Sequence, residues 1–250
     1  MVKINDLKFS FSKKQQPLFQ ELNCELPSGS IVGLLGKNGA GKTTLLKIMI
    51  GLLRPSEGSV HIMGHLPWER QPSLLRDIYF LPEEFHHPDV SIGRYVKANS
   101  GFYPRFDGEL LKKLITDFEL PENKRLNQLS YGQKKKFLIS FALSTKCRLL
   151  VLDEPTNGLD IPSKSIFRKV MAGSLDDDQL VIISTHQVRD VENLIDRVLM
   201  LEKGRFIMQK NIYEISAKLH FATTTSPDGD NILYHEMVPG GYKVIRPEAG

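Results

Sequence analysis

The stretch "GKNGAGKT" (Gly36 to Thr43) has the residue types and the spacing to hold a phosphate. Glycines at 36, 39 and 41 let main-chain N–H groups curl round an anion, Lys42 can reach the outer phosphates, and Thr43 can set a hydroxyl on Mg²⁺. A helix starting at this point would direct its positive end at the same charge. With glycine at about 7% of residues, the pattern arises by chance in roughly one chain in a hundred of this length, so context decides. The match follows an apolar run fit for a buried strand and opens a run with helical spacing, as the chemistry requires.

Three further groups could join that loop. "LLVLDEP" puts Asp153 and Glu154 at the end of a buried strand, where ligand sites of open parallel sheets lie. There Asp153 can hold the Mg²⁺ shell, and Glu154 can polarise a water for in-line attack on a γ-phosphate. Taken alone, such a pair is often only a helix cap. His186 closes the strand "VIISTH" at the corresponding edge, where it could donate to the γ-phosphate; a lone strand-end His is more often structural. "LSYGQKKK" (Leu129 to Lys136) has Ser130 as the cap of a helix whose free N–H groups would favour a second anion. Lys134, Lys135 and Lys136 oppose the dipole in its first turn; the plain reading of that run is a solvated face, but an anion bound nearby would offset the cost, which favours a functional role for at least one of them.

The elements that must carry these groups follow from periodicity. Apolar stretches at Ile4–Phe11 and Leu18–Leu26, split by "SKKQQ", predict two antiparallel strands. "SIVGLLG", "GSVHIMG", "DIYFLPEE", "RLLVLDEP" and "LVIIST" predict further strands. Helices are expected after Lys42, over Ser91–Leu120 with breaks at Gly101 and Pro104, near Ser130, after Pro162 and after His186. Strands alternating with helices imply an α/β fold with a parallel sheet. "VLMLEKGRFI" predicts a hairpin at Lys203-Gly204. The tail predicts a helical piece over Ile212–Leu219, a turn at "SPDGD" and an edge strand at "YKVIRP". Phe137, Leu138, Phe141 and Ala142 recur at helical spacing as core.

Composition bounds the rest. A chain of 250 residues can bury a substantial core, and a net charge of +4, spread along the sequence, makes no basic patch for nucleic acid. Cys24 and Cys147 lack metal-ligand spacing and read as reduced buried thiols, and the polar start gives no secretory signal. No apolar run approaches the ~18 residues of a membrane-spanning helix.

Together these residues resemble the nucleotide-binding subunit of an ABC transporter. "GKNGAGKTT" is similar to its Walker A motif, "LLVLDEP" to its Walker B, "LSYGQ" to its signature, "NGLD" (Asn157 to Asp160) to its D-loop and His186 to its switch histidine, in the same order over about the first 210 residues. The resemblance implies a P-loop ATPase fold with a mixed sheet, an N-terminal antiparallel β subdomain and a helical subdomain inserted over about residues 88–145. Residues 1–219 would form this domain and 220–250 a small C-terminal extension. It implies ATP and Mg²⁺ as cofactors, with Glu154 and His186 catalytic and Thr43, Asp153 and Glu83 at the metal. Nucleotide would be held by Phe11, Gly36, Lys37, Asn38, Gly39, Ala40, Gly41, Lys42, Thr43, Thr44 and Glu83, and, across a dimer, by Ser130, Gly132, Gln133 and Asp160.

Two positions depart from the family pattern: Tyr131 stands where Gly is usual in the signature, and Glu83 where a Gln is usual in the loop after "YFLP". On this reading Gly132 carries the close contact, Tyr131 turns aside onto its own domain or across the dimer, and Glu83 takes the Gln role. Implied partners are a second copy or a paralogous ATP-binding subunit and an integral membrane permease, with no nucleic acid. The subunit would lie in the cytoplasm on the inner face of the membrane. "LPEE" and "FYPRFD" are similar to a branch that includes antibiotic and drug exporters. A soluble ATPase of the same family, acting on ribosomes or DNA, is the rival reading, and a regulatory module that hydrolyses nothing is a third.

Overall fold

The computed structural model describes residues 1–12, 14, 16–86, 88–121, 124–226 and 232–247. The chain divides into two units, Met1–Gln209 and Lys210–Gly250.

In the first unit, β1 (Val2–Phe9) and β2 (Phe19–Leu26) pair antiparallel, followed by β3 (Ser30–Leu35) and the helix α1 (Lys42–Met49). Next come β4 (Glu57–Ile62), the one-turn α2 (Pro72–Leu75) and β5 (Ile78–Leu81). The helices α3 (Ile92–Asn99), α4 (Gly108–Asp117) and α5 (Tyr131–Ser144) precede β6 (Leu149–Asp153), α6 (Ile161–Ser174), β7 (Leu180–Thr185), β8 (Arg197–Glu202) and β9 (Arg205–Asn211).

Among the described residues β2, β1 and β4 form one antiparallel sheet, and β5-β6-β7-β3-β8-β9 form a second. The difference in sequence pattern explains the difference in role. β1 and β2 alternate buried with exposed residues, whereas every residue of β6 and β7 is buried, as strands covered on both faces require. Parallel pairing runs Ile78↔Leu149, Leu149↔Leu180 and Ser30↔Leu180, so β6, β7 and β3 end side by side. The β1/β2 core, with Phe19, Leu22 and Ile4, meets β3, β6 and α1 in one apolar cluster.

The helical block from α3 to α5 packs on aromatics: Tyr95 and Phe106 both lie against Phe141, at centroid distances of 5.4 and 5.3 Å. Phe137, Leu138, Phe141 and Ala142 are all buried, as their spacing predicts. Polar caps start these helices. Ser91 accepts from Arg94 N, Asp107 from Leu110 N and Ser130 from Gln133 N, each worth about 1 kcal/mol. The start of α1 differs: Gly41 at φ +99° is its N-cap, and a Cβ there would sit 2.8 Å from the Phe19 ring.

The second unit contains α7 (Ile212–Ser216), β10 (Leu219–Thr224), β11 (Tyr234–Val238) and β12 (Gly241–Pro247). Its sheet order is β10-β12-β11, so "YKVIRP" is the central strand and not an edge. β12 pairs with β10 through Leu219↔Pro247 and with β11 through Val238↔Gly241, and Val244 at its middle is buried at 1% exposure. Most of the "SPDGD" turn lies outside the described residues.

One predicted helix does not form. After His186 there is only a single 3₁₀ turn, Val188–Asp190. The chain must reach β8 within a short span, and it is tied to β3 where Asp196 accepts from Ile31 N at 2.8 Å. Among the described residues no helix is long and apolar enough to cross a membrane.

Candidate nucleotide-binding site

The ends of β3, β6 and β7 deliver the predicted residues to one place. Lys42 Nζ donates to the main-chain oxygen of Gly36 at 2.8 Å and lies 3.5 Å from Glu154 Oε1, with both side chains almost fully buried. Thr43 Oγ1 donates to Asp153 Oδ2 at 2.7 Å. The second carboxylate oxygen of Asp153 accepts from Ser184 Oγ. His186 Nδ1 lies 2.9 Å from Glu154 Oε1, joining β7 to β6.

Glu154 has φ +45°, a left-handed conformation that costs a non-glycine residue about 1–3 kcal/mol. Its surroundings hold it there. The Glu154 N–H is shared between the Ser184 main-chain and hydroxyl oxygens, both at 3.1 Å. This turn lifts the Glu154 carboxylate away from the strand direction and toward Lys42 and His186.

A cleft of about 350 Å³, within the range of small-ligand sites, is lined by Phe11, Leu18, Asn38, Gly39, Gly41, Lys42, Thr43, Thr44, Glu83 and Glu154. Phe11 is 65% exposed and meets Phe9 edge-on at 5.0 Å, so one ring face is open to stack. Gly36, Lys37 and Ala40 line a neighbouring hollow with Leu201 and Gly204.

Glu83 joins this cleft by its side chain, and Oε1 accepts from Asn157 Nδ2 at 2.7 Å. From there the polar chain continues: Gln187 Nε2 lies 3.4 Å from Asn157 Oδ1 and 3.4 Å from His186 Nε2, while Lys164 donates to Gln187 Oε1 at 3.1 Å.

The Ser130 group stands apart from the cleft. Ser130, Gly132, Gln133 and Asp160 are not among the residues that line it. Ser130 and Gln133 form a reciprocal capping box at the start of α5. Asp160 caps α6 by accepting from Ser163 N at 2.8 Å, and the Ser163 hydroxyl, followed by this main-chain bond, holds its carboxyl below the usual value. Tyr131 turns onto its own domain: its hydroxyl donates to the Glu83 main-chain oxygen at 3.0 Å, and its ring stacks on Phe85 at 5.5 Å.

The sequence reading misses Ser184 and Gln187 and takes in Asn157 only as part of "NGLD"; Ser184, Gln187 and Asn157 orient Asp153, His186 and Glu83 respectively. The signal for Ser184 is present in the sequence, as one of two hydroxyl residues that end an otherwise apolar strand. Of the three lysines, Lys135 is fully buried, which the bland alternative of a solvated face does not allow.

Hydroxyl and carboxylate oxygens at Thr43 and Asp153 suit a hard cation such as Mg²⁺. Among the described residues no group of three or more His, Cys, Asp or Glu side chains could hold a metal alone.

The model of the ABC transporter family matches residues 19–157. The methionine import ATP-binding protein MetN of Corynebacterium jeikeium is 32% identical over 83% of this chain, and the chain spans only 59% of that protein's length. The lantibiotic transport ATP-binding protein SrtF of Streptococcus pyogenes is 30% identical over 84% of this chain and 90% of its own. Among solved structures, a dimeric bacterial ABC transporter cassette, MJ0796, superposes with a TM-score of 0.70 at 23% identity. That match covers 85% of this chain and 99% of the other.

Proposed function

Since the chain belongs to the ABC transporter family, we propose that it is an ATP-binding and ATP-hydrolysing subunit that powers transport through separate membrane subunits. The observation that carries this reading is the meeting of Lys42, Thr43, Asp153, Glu154 and His186 around one cleft. Glycines and the α1 N-terminus would cradle the β-phosphate, with Lys42 on the outer phosphates and Phe11 against the adenine. Thr43 and Asp153, with Glu83 beside them, would hold Mg²⁺, which when bound neutralises charge developing on the phosphates. Glu154 orients and polarises the attacking water, and His186 holds Glu154 and donates toward the γ-phosphate.

Ser130, Gly132, Gln133 and Asp160 do not line the cleft of their own chain. Their separation from it supports the reading that each such group completes the cleft of a second subunit, whether identical or paralogous. The related MJ0796 structure is described as dimeric. ATP binding would close the pair and hydrolysis reopen it, moving an integral membrane permease on the inner face of the membrane. Residues 1–219 would form the working domain and 220–250 the extension. One relative is named for methionine import and another for lantibiotic transport, so export is proposed only on "LPEE" and "FYPRFD".

The test is Glu154→Gln. Removing a general base costs about 10²-fold or more in turnover, and the variant should accumulate as an ATP-bound dimer on gel filtration. Undiminished ATPase activity would overturn the assignment. Co-purification with a membrane polypeptide supports transport, whereas nucleic acid retained through high salt would favour the rival soluble reading.

A further inference from the structure

Lys135 is 0% exposed, although it sits in the middle of a run of three lysines. Burying an ammonium is costly unless something nearby needs the charge. Among the described residues its hydrogen-bond partner is the main-chain oxygen of Glu83, at 3.2 Å, and its Nζ stands 5.8 Å over the Phe85 ring and 5.9 Å over that of Tyr131. Tyr131, one turn earlier on the same face of α5, donates to that same oxygen at 3.0 Å.

Glu83 is therefore gripped at two ends. Its main chain is held from α5, and its carboxylate is held by Asn157 at the cleft wall. That carboxylate brings a third negative charge to a site that already has Asp153 and Glu154. On the cleft side stands Lys42, which contacts Glu154 and the Gly36 carbonyl. Burial draws the Lys135 ammonium below the ordinary lysine value, while Glu83 first, then Asp153 and Glu154, draw it back up.

We propose that Lys135 is a positioning residue which, from behind the cleft, offsets the charge of Glu83 and with Tyr131 fixes the Glu83 main chain, so that an acidic side chain can stand beside bound phosphate. The pair also ties the Glu83 wall of the cleft to the helix that Ser130 caps. The bland alternative is that Lys135 merely fills space and satisfies a carbonyl. This proposal rests on reading the cleft as the nucleotide site.

A double-mutant cycle separates the two. Affinity for Mg²⁺ and a fluorescent N-methylanthraniloyl ATP would be titrated for the wild type, Lys42→Ala, Glu83→Gln, Lys135→Met and Glu83→Gln/Lys135→Met. Lys42→Ala binding as tightly as wild type would defeat the reading of the cleft itself. If the wild type binds and Lys42→Ala does not, Lys135→Met should weaken binding about tenfold when Glu83 is present and about twofold or less when Glu83→Gln has removed the charge, a coupling usual for interacting neighbours. Equal losses in both backgrounds, or no loss in either, would overturn the proposal. Thermal melts guard against simple unfolding. A Lys135→Met variant that folds only together with Glu83→Gln supports the charge match, and one that fails in both backgrounds shows a packing role alone and overturns it.

Discussion

The Thr43 hydroxyl and the Asp153 carboxylate meet at 2.7 Å although 110 residues separate them in sequence. Asp153 also accepts from Ser184, so one carboxylate organises the phosphate loop and two strand ends. Asp153→Ala should raise the Mg²⁺ concentration needed for half-maximal ATPase activity by at least about tenfold, since it removes a hard oxygen that a Mg²⁺ site depends on. An unchanged Mg²⁺ titration curve would place the metal elsewhere.

Gln187 lies between His186 and Asn157, 3.4 Å from each. Its side-chain amide steadies the His186 ring at Nε2, while Nδ1 lies against Glu154. Gln187→Ala should therefore lower kcat about two- to tenfold, the scale of one hydrogen bond, with KM for ATP nearly unchanged. A rise in KM at constant kcat would show instead that Gln187 serves binding.

The two thiols predict alkaline sensitivity. Burial pushes Cys24 and Cys147 from the ordinary 9.0 up to about 12. Groups with a raised folded value lose their protons first in the unfolded chain, so their contribution is intact below about pH 9 and is given up as pH climbs toward about 12. Tyr103, raised from 10.0 to about 12, acts in the same direction. Urea midpoints should fall steadily from pH 8.5 to 11. Replacing both cysteines by Ala should flatten part of that fall while lowering the midpoint at neutral pH through lost packing.

Gly158 has φ +78°, and a Cβ there would stand 2.6 Å from the Tyr131 ring. Gly158→Ala should destabilise the protein by about 1–3 kcal/mol through backbone strain, with an added steric part. Combining it with Tyr131→Ala should relieve the clash but not the strain. A Gly158→Ala melting temperature equal to wild type would mean that the Asn157 turn yields easily, and Glu83 would then lose its fixed partner.

Chemistry carried by local pattern could be read from the sequence, and chemistry carried by distant pairing could not. The phosphate loop, the Asp153-Glu154 strand end and the Ser130 cap are each encoded within a few residues, by glycine spacing, by a fully apolar run and by a hydroxyl before a helix. The hold on Glu83 is different. Its partners Tyr131, Lys135 and Asn157 lie 48, 52 and 74 residues away, and nothing in "KKK" marks the middle lysine as the buried one. The expected helix after His186 failed because its amphipathic spacing was outweighed by the need to reach β8, a constraint visible only once the strand order is known. The edge position expected for "YKVIRP" fails because β12 pairs with both β10 and β11, a choice of partners that no local pattern encodes.

The register of the sheet has one last implication. Asp153 pairs with Ser184 between β6 and β7, and Leu35 with Thr185 between β3 and β7. Strands can slide past one another only in whole residues, about 3.3 Å at a time, and each single step turns every side chain to the opposite face of the sheet. The alignment of loop, carboxylates and histidine is thus quantised: it is either correct or lost altogether, with no gradual misfit between. A one-residue deletion inside β7 would therefore silence the machinery outright.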